Sequence, residues 1–300
     1  IMPLLEDYVD QLEGKVNGNL KLTGSIEEPI LNGSSAISEG GFLVKYLNTH
    51  YKISGNQRFT ANRIILENIL MTDMRDNQAN LQGYISHRNL NDFKFNINGR
   101  VNNFQILNTD LTQNELFYGQ GYVTGNVGFS GSLDNITIDA NVSTNKDTRF
   151  LIPLEGESSV SQKEYIEFVT DDKSTSIAEI IEDKVNEVNL KGIQMNFNLE
   201  VTPDAYAELI FDQQAGDIIK ARGNGSLSLN ISTTGEFRIF GDYIIEEGQY
   251  TFTFYNVINK EFKLRNGSSI SWRGDPYGAI LNIDAVTGGF NFKNAFFIVL

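Results

Sequence analysis

Apolar and polar residues alternate at a period of two over much of this chain, and glycines cut the alternation into short runs. Phe93, Phe95 and Ile97 alternate with Lys94, Asn96 and Asn98. Met195, Phe197, Leu199 and Val201 alternate with Asn196, Asn198, Glu200 and Thr202, and Leu227, Leu229 and Ile231 with Ser226, Ser228 and Asn230. Successive side chains of a strand point to opposite faces, so each run predicts a strand with one apolar and one solvated face. The pattern predicts a mostly β fold: one curved, twisted sheet whose alternating side chains line a concave apolar face.

Two stretches keep helical spacing instead. Leu4, Leu5, Tyr8, Val9 and Leu12 do so, with Gly14 where a helix would stop. Ile177, Ile180, Ile181, Val185 and Val188 form the second, and Ser176 with Glu179 fits a capping box. Short helices are therefore expected over Leu4–Leu12 and Ser176–Val188. The polar stretch 156–163 and the acidic stretch 170–176 read as loop. They divide the chain into a repeated β segment (1–155), a loop and helix insertion (156–189) and a second β region (190–300). The form Gly18-Asn19-Leu20-Lys21-Leu22-Thr23-Gly24-Ser25-Ile26 recurs as Gly125-Asn126-Val127-Gly128-Phe129-Ser130-Gly131-Ser132-Leu133, and more loosely from Gly225. Such recurrence predicts serial β units that share an apolar face.

Composition narrows the function. A net charge of -14 argues against nucleic acid, which requires clustered cations, and would repel anionic membrane surfaces. Without cysteine there is no disulfide, thiolate metal site or thiol nucleophile. The first residue is Ile1, which reads as a fragment with any membrane anchor upstream. His50 and His87 stand apart in polar surroundings and are expected at the surface, outside any metal-ligand spacing. Gly223-Asn224-Gly225 precedes strand-like residues rather than a helix, so it is no phosphate loop. Asp171-Asp172 and Glu246-Glu247 lack calcium-loop spacing and read as solvated turns. The expectation is a non-catalytic protein with no cofactor and no metal.

The ordered motifs from Gly192 onward carry a family signal. They run Leu199-Glu200-Val201-Thr202-Pro203-Asp204-Ala205, then Gly216-Asp217-Ile218-Ile219-Lys220-Ala221-Arg222-Gly223-Asn224-Gly225. Gly241-Asp242-Tyr243-Ile244-Ile245-Glu246-Glu247-Gly248-Gln249-Tyr250-Thr251-Phe252, Ile270-Ser271-Trp272-Arg273-Gly274-Asp275-Pro276-Tyr277 and Leu281-Asn282-Ile283-Asp284-Ala285 follow. In this order they resemble the C-terminal domain of TamB (translocation and assembly module) proteins of Bacteroidetes-type bacteria. Pro29-Ile30-Leu31-Asn32-Gly33, Leu81-Gln82-Gly83-Tyr84-Ile85 and Phe150-Leu151-Ile152-Pro153-Leu154 extend the resemblance through the first half. From Gly288 to Leu300 the chain departs from the family pattern.

The resemblance implies an inner-membrane protein that crosses the periplasm of a Gram-negative cell to an Omp85-family barrel, TamA-like or BamA-like. It also implies kinship with AsmA-like, bridge-type lipid-transfer proteins, whose elongated sheet makes an open greasy groove (a β-taco) for phospholipid acyl chains. With the alternation, it marks Phe93, Phe95, Ile97, Val127, Phe129, Phe197, Leu199, Leu227, Leu229, Ile231, Tyr250, Phe252 and Phe254 as candidate lining. Taken singly, each of these also fits ordinary sheet core. Phe290, Phe292, Phe296 and Phe297 lie in a terminal stretch of high strand propensity, expected to pair with the strand at Ile280–Ala285 or with the partner barrel. Two functions follow: a lipid conduit, and an assembly factor that pairs strands with barrel clients or the Omp85 partner. A surface solenoid such as a polysaccharide lyase would need a line of acids and bases on one face, which the sequence does not supply.

Overall fold

The computed structural model describes residues 8–114, 116–153, 192–212, 216–232, 235–254, 258–288 and 290–292. Its first strands are β1 (Val9–Gly24), β2 (Pro29–Val44), β3 (Thr49–Thr60), β4 (Arg63–Thr72), β5 (Gln78–Arg88) and β6 (Asn91–Thr109). Then come β7 (Tyr118–Ser132), β8 (Asn135–Thr144), β9 (Arg149–Pro153), β10 (Ile193–Val201), β11 (Tyr206–Asp212) and β12 (Asp217–Ser232). The last are β13 (Phe237–Phe254), β14 (Ile258–Leu264), β15 (Ser269–Gly274), β16 (Ile280–Asn282), β17 (Ala285–Thr287) and β18 (Phe290–Phe292). All belong to one 18-stranded sheet.

From β1 to β7 each strand pairs antiparallel with the next. The far edge of β7 then carries β8 and β9 end to end. β12 carries β10 and β11 in the same way. These two interrupted rows meet in parallel, β8 against β10 and β9 against β11. The pairings thus close a six-strand circuit, β7–β8–β10–β12–β11–β9, around the point where both rows break. Side chains and backbone sew that break together. The Thr202 amide donates to Thr144 Oγ1 at 2.9 Å, and the Tyr206 amide to the Thr148 carbonyl at 2.8 Å. β13 pairs with β12 and then with β14 and β15, from which β17, β16 and β18 extend the sheet.

Register lines the apolar side chains up across strands. One row runs Leu66, Gly83, Ile97, Phe129, Ile138, Met195, Ile231 and Phe237 from β4 to β13. The next runs Leu81, Gly99, Val127, Ala140, Phe197, Leu229 and Ile239. Gly83 has φ +145°, and a Cβ there would stand 2.1 Å from the Asn96 carbonyl oxygen, so only glycine lets those backbones approach. The opposite face is polar, with Asn230, Asn196 and Asp139 linked side chain to side chain at 3.1 and 3.0 Å.

The sheet curls over its apolar face. The Tyr8 hydroxyl donates to the Leu133 carbonyl, 125 residues away, at 2.8 Å. Tyr51 of β3 stacks on Phe104 of β6 at 5.0 Å, and its hydroxyl donates to the Gln105 carbonyl. Tyr46 and Leu47, in the β2–β3 turn, pack on the buried cluster that holds Leu107, Phe117, Met195 and Leu229. The face is therefore covered in part by the sheet's own turns.

Two sequence expectations need correction. No helix occurs among the described residues, and positions 9–12 of the expected first helix belong to β1. Their backbone pairs with β2, Val9 opposite Val44 and Asp10 opposite Leu43. Gly14 is not a helix stop. It sits at a register shift with φ +138°, where a Cβ would meet Gly40 Cα at 2.7 Å. The second expected helix, Ser176–Val188, lies outside the described residues, as does the 156–189 insertion. His87 is not a surface residue: it is 6% exposed, its ring 5.9 Å from Phe93, with Nδ1 accepting the Leu90 amide at 3.3 Å. Burial holds its pKa below the ordinary histidine value. His50 is exposed, as expected.

Candidate functional site: the apolar face

The lining candidates from Phe93 to Phe252 fall on the same face, in rows fixed by the ladder. Phe95 lies opposite Ile85 and Gly131, Ile97 opposite Phe129, and Val127 opposite Ala140. Across the parallel joint, Phe197 faces Ala140 and Leu229, and Leu199 faces Val142 and Leu227. Phe93, Phe95, Ile97, Val127, Phe129, Phe197, Leu199, Leu227 and Phe252 are half-buried, while Leu229, Ile231 and Tyr250 are buried. The stripe is thus more open toward β6 and β7 than around Leu229. Phe254 closes β13 opposite Ile258.

Tyr250 reaches this face through a change of phase in β13. The ladder pairs Gly223 with Ile245 but Arg222 with Glu247, so a bulge falls at Glu246. Odd positions, Ile239, Tyr243 and Ile245, point inward before it, and even positions, Gly248 and Tyr250, after it. Tyr250 then stacks on Phe262 at 6.0 Å and meets Phe211 edge-on at 6.3 Å. Burial, and then the Asp217 carboxylate beside it, push its hydroxyl pKa well up. Asp217 is pushed up as well, first by its own burial and further by Asp212, while a hydrogen bond with Tyr250 opposes the shift.

Under the closed circuit lies an apolar cavity of about 70 Å³. Leu199, Leu227 and Leu229 line it together with Phe117, Phe150, Phe237, Ile239, Tyr243 and Trp272, which the sequence reading did not mark as lining. Phe117 is the hub, with Phe150 at 5.9 Å and Phe237 at 5.8 Å. Its neighbours in sequence do not alternate, so only its aromatic character signalled it. Trp272 had a signal, as the chain's single tryptophan within an alternating run, Ile270-Ser271-Trp272. The cavity is smaller than the ~150 Å³ that accommodates benzene in an apolar protein core, so an acyl chain enters it only by moving side chains.

Among the terminal candidates, Phe290 and Phe292 stand in β18, whose backbone pairs with β17, Thr287 opposite Phe290 and Ala285 opposite Phe292. Phe296 and Phe297 lie outside the described residues.

Chemically the face offers dispersion contact and exclusion of water along many strands. A search of curated proteins and one of solved structures each return no match. The model of the TamB C-terminal domain matches residues 67–289, which takes in the apolar rows from β5 to β13. The chain belongs to the TamB C-terminal domain family.

Proposed function

We propose that this chain is part of an envelope-spanning TamB protein, anchored in the inner membrane, that carries phospholipid acyl chains across the periplasm to an Omp85-family barrel. The observation that carries this reading is the unbroken run of apolar rows from β4 to β13, backed by a polar face. Exposing a chain of ~16 methylenes to water costs on the order of 10 kcal/mol at roughly 0.8 kcal/mol per group. A continuous apolar face offsets most of that along the whole path. Half-buried residues such as Phe95 and Phe129 bind loosely, which suits a cargo that must also leave. On this reading the sheet opens as an elongated groove when lipid enters, because the 70 Å³ cavity does not admit a chain as it stands. No catalytic step is assigned to the chain.

Leu229→Arg tests the conduit. Leu229 is 7% exposed between Phe197 and Ile239, where an unpaired ion costs on the order of several kcal/mol. Phe95→Arg places the same charge at a half-buried position, where the fold tolerates it better. Photoreactive residues along the rows should lose lipid crosslinks in both variants. Crosslinks equal to the parent's at every position would remove the conduit reading.

A second reading, an assembly factor acting by strand pairing, rests on β1. That strand pairs only with β2 among the described residues, and all but Val9 of its residues are exposed. Val16, Leu20 and Leu22 are 67%, 47% and 65% exposed on it. A long, open, partly apolar edge is a template for a further strand. Recovery of a barrel protein that depends on β1, without bound lipid, would favour this reading.

A further inference from the structure

On the polar side of the sheet, behind the apolar cavity, lies a cleft of about 510 Å³ lined by β9, β11, β12 and the Lys146–Thr148 turn. Alternation puts it there: Phe150, Ala207, Ile219 and Ala221 face the cavity, while Arg149, Glu208, Lys220 and Arg222 face the cleft. Thr148 and Tyr206 belong to both, at the break in the rows.

The cleft gathers Lys146, Arg149, Lys220 and Arg222 against Asp147, Asp204 and Glu208, in a chain of net charge -14. Its acids are largely engaged. Glu208, whose side chain is 3% exposed, accepts from Arg149 Nε at 2.7 Å, and Asp147 is held by Arg75 at 3.0 Å. Arg222 donates to the Pro203 and Asp204 carbonyls at 3.3 and 3.2 Å and lies 3.9 Å from the Glu247 carboxylate, which together fix its guanidinium along the wall. Lys146 and Lys220 make no ion pair among the described residues. Two unpaired ammonium groups beside a positioned guanidinium form a locally cationic site where the whole chain is anionic.

We infer that this cleft binds a phosphate-bearing anion, with Lys146 and Lys220 supplying charge and Arg222 directed hydrogen bonds. The phosphate can be a lipid headgroup or a soluble phosphate ester. The headgroup form rests on the conduit reading, because only a chain that meets phospholipid would present headgroups to its polar face.

Inorganic phosphate and dihexanoylphosphatidylglycerol are titrated into the full chain, its Lys146→Gln/Lys220→Gln variant and a Lys94→Gln control. The parent should bind at least one probe saturably, the double variant at least about tenfold more weakly, and the control like the parent. Tighter binding of the lipid, displaced by phosphate, identifies a headgroup site. Equal or tighter binding of inorganic phosphate identifies a soluble ligand. Lys146→Gln alone, at an exposed position, keeps the test decisive should the double change disturb folding. Absence of saturable binding for both probes, or binding that survives the lysine changes, overturns the site. Either result leaves acyl-chain crosslinking on the other face untouched, so the two readings fail separately.

Discussion

Asp217 opens β12 half-buried, and burial raises its pKa above the ordinary value of 3.8. Well below that value both folded and unfolded chains carry the proton, so the group is neutral to stability. As pH rises the unfolded chain ionises first, and the folded state loses stability until its own carboxyl ionises. Asp217→Asn removes this loss while keeping an acceptor for the Tyr250 hydroxyl. The variant should match the parent's melting temperature near pH ~3 and exceed it increasingly toward pH ~7. A constant difference would show that the site does not shift the carboxyl, and a reversed one that it stabilises the carboxylate. At this scale the alternating runs are readable, and they put Phe197, Leu229 and Ile231 on one face of paired strands. Ile239 and Tyr243 were hidden because the residue that follows each, Phe240 and Ile244, is apolar on the outer face at 38% and 45% exposure. His87 misled for the opposite reason: its polar neighbours in sequence said nothing of Phe93 folding over it.

Within the elements, bulges decide which face a residue takes. Register shifts interrupt β2 near Glu39, β4 near Asn68 and β6 near Asn103, and each of these residues has positive φ, 53°, 53° and 48°. They recur on alternate strands, and each adds local bend to the sheet. Asn tolerates the left-handed region and a β-branched residue does not. Asn68→Val should therefore destabilise by about 1–2 kcal/mol, whereas Asn68→Gly should stay within ~0.5 kcal/mol. Equal losses in chemical denaturation would mean that the Asn68 side chain, not its backbone, matters. A period-two reading cannot anticipate such shifts, since one extra residue reverses inward and outward for the rest of the strand. That is why Val101 and Phe104, of opposite parity, are both buried in β6. It is also why the short helical spacing near Leu12 was overruled: in β1 the backbone bonds to β2 outweigh a few residues' periodicity.

At the scale of the sheet, neighbouring strands among the described residues are antiparallel except at the joint of β8 with β10 and β9 with β11. The mostly β class and the shared apolar face were legible from sequence, because alternation and glycine spacing are local signals. The parallel joint was not, because it depends on which distant strands meet. Eight residue pairs from Ile193 to Glu200 align with Ile136 to Ser143, reinforced by Asn196 on Asp139 and Asn198 on Asn141 at 3.0 and 2.8 Å. Nothing in that registry requires the covalent link between Pro153 and Gly192. The protein is thus a natural candidate for splitting: residues 1–153 and 192–300, expressed as two polypeptides, should complement each other into a stoichiometric complex that melts cooperatively. Swapping Phe197 for Asp in the second piece, opposite Ala140 and Leu229, should abolish that reassembly. Two pieces that stay apart at micromolar concentration would show that the joint holds only at the effective concentration the intact chain provides.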